Sequence, residues 1–241
     1  ALTREIAALK PEAIAICLLF AFKNNQEERA LREALSHVSD TITLSSELHP
    51  EPGEYERAVI TVLNSYLAPP VRGYLSRLVT GTTPSEVKIM QSSGLTISAD
   101  KAAARAAHLL LSGPAGGLIG ANQCFPNSNL MTFDMGGTST DVALIQDGVA
   151  RTRRETRVGD VTVRAPSIDV RTVGAGGGSI AYVPDLTKAL RVGPQSAGAD
   201  PGPAAYQKGG EAPTVTDANV VLGYLPSDAK LGGDMDISRP K

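Results

Sequence analysis

The stretch that decides the fold of this chain reads Phe133-Asp134-Met135-Gly136-Gly137-Thr138-Ser139-Thr140-Asp141. Short apolar runs lie on either side of it, at residues 130–133 and 142–145, and each favours a strand. The stretch therefore predicts a hairpin of two strands. At its turn, Gly136 and Gly137 can adopt positive φ and leave no side chain to keep a ligand away.

The residues of this turn are of the types that bind phosphate and a divalent cation. A glycine turn can point successive backbone N–H groups outward, which makes an anion-binding nest. Hydroxyls can donate to phosphate oxygens, and they follow in a row at Thr138, Ser139 and Thr140. Asp134 and Asp141 are hard oxygen ligands of the kind that Mg²⁺ uses. The stretch predicts a nucleotide–Mg²⁺ site, and the alternative is a solvated hairpin in which Asp and Thr serve as turn residues.

The composition is that of a globular protein. The chain has 241 residues, 42% of them hydrophobic, and a formal net charge of −2. No basic cluster stands out, so nucleic acid is not an expected partner. No stretch of about 18 apolar residues occurs, so no membrane span is expected. Cys17 and Cys124 are predicted to be reduced rather than bridged, which favours the cytoplasm. The start of the chain, without Met or a signal-peptide pattern, is typical of a processed protein or an excerpt of a longer one.

Glycine divides the chain into two parts. Of the 24 glycines, four precede Gly113 and the remaining twenty lie from Gly113 onward. We therefore expect long regular elements first, and strands with shaped loops afterwards. In the first part the pattern predicts strands at residues 13–22, 41–44 and 87–90, and helices at 24–35, 54–67, 71–78 and 99–111. A capping box is expected at Asn24 and Glu27, and a helix break at Pro69-Pro70. This alternation favours an α/β sheet.

A second glycine-rich stretch follows a predicted strand at residues 168–173. We call residues 174–179 the glycine segment; it contains Gly174, Gly176, Gly177, Gly178 and Ser179. Its glycines predict a second stretch of backbone that could surround a ligand. A dinucleotide fingerprint would need a third glycine at Ser179 and a helix afterwards. Residues 180–184 are extended in pattern and end at a proline, so we reject that interpretation. Residues 193–213 are predicted to be a long loop, followed by a short helix at 216–222.

Several long motifs in one order resemble the hydantoinase A, 5-oxoprolinase and acetone carboxylase β-subunit family. They are residues 54–57 (Glu-Tyr-Glu-Arg), 89–92 (Ile-Met-Gln-Ser), 111–117 (Leu-Ser-Gly-Pro-Ala-Gly-Gly), 132–142 (Thr-Phe-Asp-Met-Gly-Gly-Thr-Ser-Thr-Asp-Val), 172–180 (Thr-Val-Gly-Ala-Gly-Gly-Gly-Ser-Ile), 193–203 (Gly-Pro-Gln-Ser-Ala-Gly-Ala-Asp-Pro-Gly-Pro) and 213–219 (Pro-Thr-Val-Thr-Asp-Ala-Asn). The likeness covers nearly the whole chain.

The resemblance implies an actin-like ATPase fold, built of two ribonuclease H-like halves that close on ATP. Residues 1–85 would complete an upstream first half, and residues 86–241 would begin the second. The hairpin at residues 134–141 matches the phosphate hairpin of the second half. Asp134 and Asp141 would then hold Mg²⁺ or orient a nucleophile, while the turn and the glycine segment would contact the nucleotide.

The resemblance also implies an activity. Family members use ATP to activate an amide or carbonyl oxygen, so that a cyclic amide of the hydantoin or 5-oxoproline type is opened. The alternatives are the ATP-using subunit of an acetone-type carboxylase and a non-catalytic, nucleotide-gated actin-like module. A second hydantoinase-type subunit is a further expected partner.

Two kinds of difference separate this sequence from the family pattern. The first phosphate hairpin and the adenine-binding glycines are absent, so the chain is expected to be a middle piece that lacks half of the ATP clamp and is inactive alone. Relatives often carry His where Arg171 stands and Cys where Ala205 stands, which leaves the substrate open. His37, His49 and His108 are predicted to be surface or packing residues.

Overall fold

The computed structural model describes residues 2–158, 161–226, 230–233 and 235–238. The chain divides into two compact units: the first comprises Ala1–Ser128 with Gln146–Asp169, and the second Asn129–Ile145 with Val170–Lys241. The predicted division at residues 85 and 86 concerns the halves of a longer protein and stays a prediction. Within the described ranges, no helix combines the length and apolar character needed to cross a membrane.

The elements up to residue 124 are mostly helical. They are α1 (Leu2–Ala8), β1 (Ile14–Ile16), α2 (Gln26–Leu35), β2 (Ile42–Leu44), α3 (Ser45–Leu48), α4 (Glu54–Thr82), β3 (Lys88–Met90), β4 (Thr96–Ser98), α5 (Ala99–Ala104), a 3-10 helix (Ala106–Leu109) and α6 (Ser112–Cys124).

The later elements are mostly strands. They are β5 (Leu130–Met135), β6 (Thr140–Gln146), β7 (Val149–Ala150), β8 (Thr152–Arg153), β9 (Thr156–Val158), β10 (Val161–Val163), β11 (Ser167–Ile168), β12 (Val170–Val173), β13 (Ser179–Tyr182), β14 (Arg191–Ser196), a 3-10 helix (Ala204–Tyr206), α7 (Val215–Val221), β15 (Lys230–Leu231) and β16 (Met235–Asp236). The predicted glycine-rich half of strands and loops is confirmed.

The first unit is organised around the long helix α4. Strands β1 and β2 pair in parallel, and their isoleucines and leucines form one core cluster with Leu35 of α2. Ile60 near the start of α4 is fully buried in a second cluster, and Leu75 near its end is buried against the alanines of α5. Both halves of α4 are therefore held by packing.

Two predictions for the first unit are wrong in extent. The strand expected at residues 13–22 is only Ile14–Ile16, and the chain turns at Phe20, which has a φ of 56°. Pro69 and Pro70 lie inside the continuous helix α4 instead of ending it. A proline removes a backbone donor and weakens a helix locally, but the packing on both sides of the pair keeps this helix whole.

The helix ends also differ from their predictions. Helix α2 begins after Asn25, without the capping box expected from Asn24 and Glu27; the Asn24 side chain accepts instead from the Gln26 amide. The helix predicted at residues 99–111 is split into α5 and a 3-10 helix. Open space surrounds the positions where Gly116 and Gly120 would carry a Cβ, so close packing of α6 does not explain these glycines.

In the residues that the structure describes, the second unit consists of antiparallel strands, one short α-helix and a 3-10 helix. Strand β6 lies between β5 and β12, and β13 pairs with β14. The chain predicted to be a loop from residue 193 begins inside β14 and contains a 3-10 helix. Helix α7 lies within a residue or so of its predicted bounds, and a capping box of Thr214 and Asp217 starts it.

Candidate functional site

The predicted hairpin is present, and its turn is short. In the register of β5 and β6, Asp134 lies opposite Asp141 and Met135 opposite Thr140. Residues 136–139, which we call the Gly-Gly turn, connect the two strands. The amide of Gly136 donates to the carbonyl of Ser139 across 2.8 Å and closes the turn.

The glycines of the turn do not use the conformational freedom expected of them. Neither Gly136 nor Gly137 has a positive φ, so that part of the prediction is wrong, whereas the space that their missing side chains would leave for a ligand stays a prediction. Their carbonyl oxygens are instead held from one side by the glycine segment. The amide of Gly177 donates to the Gly136 carbonyl at 2.9 Å, and the amide of Gly178 donates to the Gly137 carbonyl at 2.6 Å.

These two bonds orient the amides of the turn. In a planar trans peptide the N–H points opposite to the C=O of the same unit. Because the carbonyls of Gly136 and Gly137 point toward the glycine segment, the N–H groups of Gly137 and Thr138 point away from it. Among the described residues, the amides of Gly137, Thr138 and Ser139 have no hydrogen-bond acceptor. The turn therefore presents successive unpaired donors, as an anion-binding nest requires.

Glycine is needed in the glycine segment because its backbone lies so close to the backbone of the Gly-Gly turn. A Cβ on Gly176 would come within 2.8 Å of the Gly136 oxygen and of the Gly137 carbonyl group. A Cβ on Gly178 would meet the Ser196 hydroxyl at 2.9 Å and the Gly137 oxygen at 3.0 Å. Both contacts are too short for a side chain, so any other residue would push the segment away from the turn.

Further groups hold the glycine segment from behind. The Gly176 amide donates to the hydroxyl of the fully buried Ser179 at 2.9 Å. The amide and the hydroxyl of Thr216, at the start of α7, both donate to the Gly177 carbonyl at 2.8 Å. The nucleotide contacts predicted for the glycine segment stay a prediction; they concern Gly174, Gly176, Gly177, Gly178 and Ser179. The amides of Gly176, Gly177 and Gly178 already donate within the protein, so each would have to break its present hydrogen bond before it could donate to a nucleotide.

The hydroxyls of the hairpin differ in their availability. Thr138 is exposed and Ser139 is half-buried, and neither hydroxyl has a partner among the described residues. Thr140 is buried, and its hydroxyl donates to the Ala175 carbonyl. Thr138 and Ser139 are therefore free to donate to a ligand, whereas Thr140 ties the hairpin to the glycine segment.

The two aspartates lie in one row across the sheet. Asp134, Asp141 and Thr172 occupy paired positions on β5, β6 and β12. The Thr172 hydroxyl donates to one carboxylate oxygen of Asp141 at 2.6 Å. Like charges directly opposite each other on a sheet repel, and a cation between them would relieve this repulsion.

This donor set fits Mg²⁺. That ion is commonly held by one or two carboxylates together with waters and phosphate oxygens. No group of three or more His, Cys, Asp or Glu side chains that could hold a metal occurs in the part of the chain that the structure describes.

The positions that depart from the family pattern lie in different surroundings. Arg171 is exposed on β12, opposite Val142. Ala205 is fully buried, and its amide donates to the Asp217 carboxylate at 2.7 Å.

Both cysteines are free, as predicted. His49 is buried, His108 is half-buried and His37 is exposed, and their assignment as surface or packing residues stays a prediction.

Sequence reasoning missed three side chains that support the site: Thr172, Thr216 and Asp217. Thr172 fixes Asp141, Thr216 fixes Gly177, and Asp217 caps the helix that carries Thr216. Thr216 and Asp217 belong to the family motif quoted at residues 213–219, and that motif was the sequence signal that could have pointed to them. The contacts of Thr172 and Thr216 join residues 31 and 39 positions apart, which a local pattern does not reveal, whereas the capping contact of Asp217 with Thr214 is local.

The geometry is that of a mixed α/β protein with a glycine-supported hairpin turn, and comparison with known proteins identifies its family. A sequence model of the hydantoinase/oxoprolinase family matches residues 57–240. This match covers more than half of the chain, and the chain belongs to that family.

Named relatives agree with this assignment. The chain is 38% identical over 240 residues to the caprolactamase subunit alpha of Pseudomonas jessenii, and the match covers 95% of this chain. It is 41% identical to the 5-oxoprolinase of Saccharomyces cerevisiae over 226 residues, which is 89% of this chain. It is 33% identical to the acetone carboxylase beta subunit of Xanthobacter autotrophicus, with 99% of this chain covered.

Two solved structures have the same fold. A nucleotide-free acetone carboxylase, from work on ATP-dependent acetone carboxylation, superposes with a TM-score of 0.76 at 32% identity over 98% of this chain. The ATP-dependent caprolactamase of P. jessenii gives a TM-score of 0.74 at 35% identity over 98% of this chain. In both cases the match covers 35% of the other chain.

The chain spans only part of these relatives. It covers 34% of the caprolactamase subunit, 35% of the acetone carboxylase subunit and 17% of the yeast 5-oxoprolinase. The relatives include subunits of larger enzymes.

Proposed function

We propose that this chain supplies one phosphate-binding half of an ATP-dependent enzyme that opens cyclic amides. The observation that carries the proposal is the set of unpaired amides at Gly137, Thr138 and Ser139, held outward by the bonds from Gly177 and Gly178. A charge-assisted hydrogen bond from such an amide contributes about 1.5–3 kcal/mol. The free hydroxyls of Thr138 and Ser139 add two further donors to the same turn.

In this proposal the aspartates hold Mg²⁺ beside the phosphates. Asp134 offers an exposed carboxylate, and the carboxylate of Asp141 is oriented by Thr172. In the alternative arrangement, one aspartate would hold the metal and the other would orient the nucleophile. Because Asp134 and Asp141 lie directly opposite each other, one ion can reach both.

The substrate class follows from the chemistry of amides. An amide carbonyl is a poor electrophile, because resonance with nitrogen stabilises it. ATP would supply its terminal phosphoryl group to the amide oxygen with release of ADP, which would make the carbon electrophilic. Attack by water would then break the ring C–N bond and release phosphate. The amides of the Gly-Gly turn would bind the phosphoryl group, and the aspartates would bind the metal. The caprolactamase and 5-oxoprolinase relatives favour a hydantoin- or lactam-type ring.

A second candidate is the ATP-using subunit of an acetone-type carboxylase. The fold shared with an acetone carboxylase favours it, because the same turn could serve phosphorylation of a ketone or bicarbonate. A non-catalytic, nucleotide-gated actin-like module would use the same turn without chemistry. Substrate-dependent ADP release by the longer protein distinguishes the three, because each predicts a different substrate or none.

The actin-like fold of two closing halves is part of the same proposal. The other segments of the protein would provide the first phosphate hairpin and the adenine site, and a second subunit would complete the enzyme. We therefore expect the 241-residue chain to bind nucleotide weakly and to lack ATPase activity. A clear ATPase rate from the purified chain would overturn this part.

The test is calorimetric titration of Mg-ATP and Mg-ADP into the chain, its Asp134→Ala variant and an Asp185→Ala control. Asp185 is fully exposed in the same unit, so both variants lose one negative charge. We expect Asp134→Ala to weaken binding by about tenfold or more, and Asp185→Ala to leave it unchanged. Equal affinity in all three proteins would contradict the proposal. If the chain gives no heat, ADP release by the longer protein carrying Asp134→Ala decides the question.

A further inference from the structure

A second concave site lies in the first unit, around strand β2. It is a cavity of about 240 Å³ whose walls come from β2 and from helices α2, α3, α4 and α5. Its lining includes buried groups at the base, Thr41, Thr43 and Leu44, and charged groups at the rim, which are Arg32, Asp40, Glu47, Arg72 and Arg105. The proposed nucleotide chemistry does not use any of them.

Two of the three arginines have most of their donors unused. A guanidinium carries five N–H donors. Arg72 makes one bond, from Nη1 to the Asp40 carbonyl at 3.3 Å, and Arg105 makes one, from Nη2 to the Glu47 carbonyl at 3.4 Å. Neither guanidinium has a carboxylate partner among the described residues. Both are therefore able to bind an anion.

The third arginine is already neutralised. Arg32 donates to the Glu47 carboxylate at 2.7 Å, and Arg29 lies 3.5 Å from the other oxygen of the same group. Asp40 provides the other negative charge at the rim. Three arginines against two carboxylates leave the lining with one excess positive charge.

The base of the cavity offers a further polar group. Thr41 is 6% exposed, and its hydroxyl makes no hydrogen bond to any described residue. A hydroxyl can donate to an oxyanion. Ile42 and Leu48 line the same space with apolar atoms, so an ion bound there would lose part of its water and interact more strongly with the arginines.

We propose that this cavity binds a small oxyanion through Arg72 and Arg105. The planar guanidinium group can donate two parallel hydrogen bonds to a pair of oxygens of a carboxylate or a phosphate. The volume is below the ~300–1,000 Å³ of pockets for drug-sized ligands. It suits inorganic phosphate or a short dicarboxylate, and the site is independent of the Gly-Gly turn.

The test uses two double variants that remove the same charge from the same parts of the fold. Arg72→Ala with Arg105→Ala removes the cavity arginines. Arg77→Ala with Lys101→Ala removes two cations from α4 and α5 that do not line the cavity. Inorganic phosphate and malonate are titrated into the chain and both variants by calorimetry, and circular dichroism checks that each protein is folded.

We expect the cavity variant to lose about tenfold or more in affinity, since each guanidinium bond to an oxyanion is charge-assisted. The control variant should stay within about twofold, because Arg77 and Lys101 do not line the cavity and would act on an ion there only through charge that salt screens. Asp40→Asn should bind more tightly, since it removes a negative charge from the rim. If phosphate binds and malonate does not, the proposal is supported and the class of ligand is limited to phosphates.

Three results would overturn it. One is the absence of binding of either anion to the parent chain at millimolar concentration. Another is an equal loss in both double variants, which would reflect net charge alone. The third is unchanged affinity in the cavity variant, which would place the bound phosphate elsewhere, such as at the Gly-Gly turn.

Discussion

The two units each contain a buried polar network, and the two networks are built differently. In the first unit side chains satisfy one another around Glu28 and Arg57, both fully buried. The Glu28 carboxylate accepts from the hydroxyls of Ser45 and Ser46, each at 2.6 Å, and from the amides of Ser46 and Leu18. Arg57 donates to the Ser45 hydroxyl and to the Leu18 carbonyl, and it pairs with Glu54.

In the second unit the network is made largely of backbone. The glycine segment donates its amides to the carbonyls of the Gly-Gly turn, and Thr216 donates to the segment in turn. The two bonds from the glycine segment to the turn use the carbonyls of Gly136 and Gly137, and the bonds from Thr216 use the Gly177 carbonyl. The amides on the outer side of the turn therefore stay unpaired among the described residues.

The difference separates a structural network from a binding one. A network in which buried side chains pair with one another, as around Glu28, stabilises the fold and offers little to a ligand, although the buried Nε of Arg57 has no partner among the described residues. A network that uses one side of a turn and leaves the other side free prepares a site. The following predictions test this contrast.

The largest effect is expected for Glu28→Ala. The substitution leaves four donors without their acceptor in a buried position. We expect a loss of about 3–5 kcal/mol in the free energy of unfolding, measured by urea denaturation at pH 7.

Glu27→Ala is the matched control for that experiment. Glu27 lies in the same first turn of α2 but is exposed, so both variants lose the same favourable interaction with the helix dipole. The control should lose less than about 1 kcal/mol. A similar loss in both variants would show that the buried network contributes nothing measurable.

An intermediate effect is expected for Gly176→Ala, which acts on the backbone network. The added Cβ would lie 2.8 Å from the backbone of the Gly-Gly turn. Overpacking of this kind costs about 1–3 kcal/mol, and the displaced segment would no longer orient the turn. We expect lower stability together with weaker Mg-ATP binding, measured by thermal unfolding and calorimetry.

Gly174→Ala tests whether position within the glycine segment matters. A Cβ at Gly174 meets only the Pro194 side chain, at 4.0 Å. Stability and nucleotide affinity should stay close to those of the parent chain. If both alanine variants behaved alike, the close approach to the turn would not be the reason for the glycines.

The smallest effect concerns pH and the first unit. Burial is the main cause that lowers the pKa of His49, although Glu51 opposes it, and burial with the nearby Arg105 lowers the pKa of His108. The Nε2 atoms of both rings lack a hydrogen-bond partner in the described part of the chain. Both imidazoles therefore bind a proton more readily in the unfolded chain than in the folded one. The free energy of unfolding should keep its full value above the ordinary pKa of 6.5 and decrease as the pH falls below it.

The measurement is the melting temperature at several values between neutral pH and about pH 5. Replacing His49 and His108 by Gln should flatten this dependence, while His37→Gln at the exposed position should not change it. Glu28 should not contribute in this range. Its burial raises the pKa, but the hydrogen bonds from Ser45 and Ser46 outweigh that effect, so the pKa lies below the ordinary 4.5.

The sequence by itself determined the local elements of the second unit. Two short apolar runs on either side of two glycines predicted the hairpin and the positions of Asp134 and Asp141 at its ends, because such runs favour strands. The ordered motifs were enough to place the chain in its family.

Only the tertiary structure decided how the glycine segment works. The bond from Gly177 to Gly136 joins residues 41 positions apart, and no local pattern records which carbonyl an amide will meet at that separation. The same holds for Pro69 and Pro70, where packing of Ile60 and Leu75 overrides a local helix breaker. Local sequence sets the preferences of each segment, whereas long-range packing and hydrogen bonding choose which groups are paired and which remain free to bind.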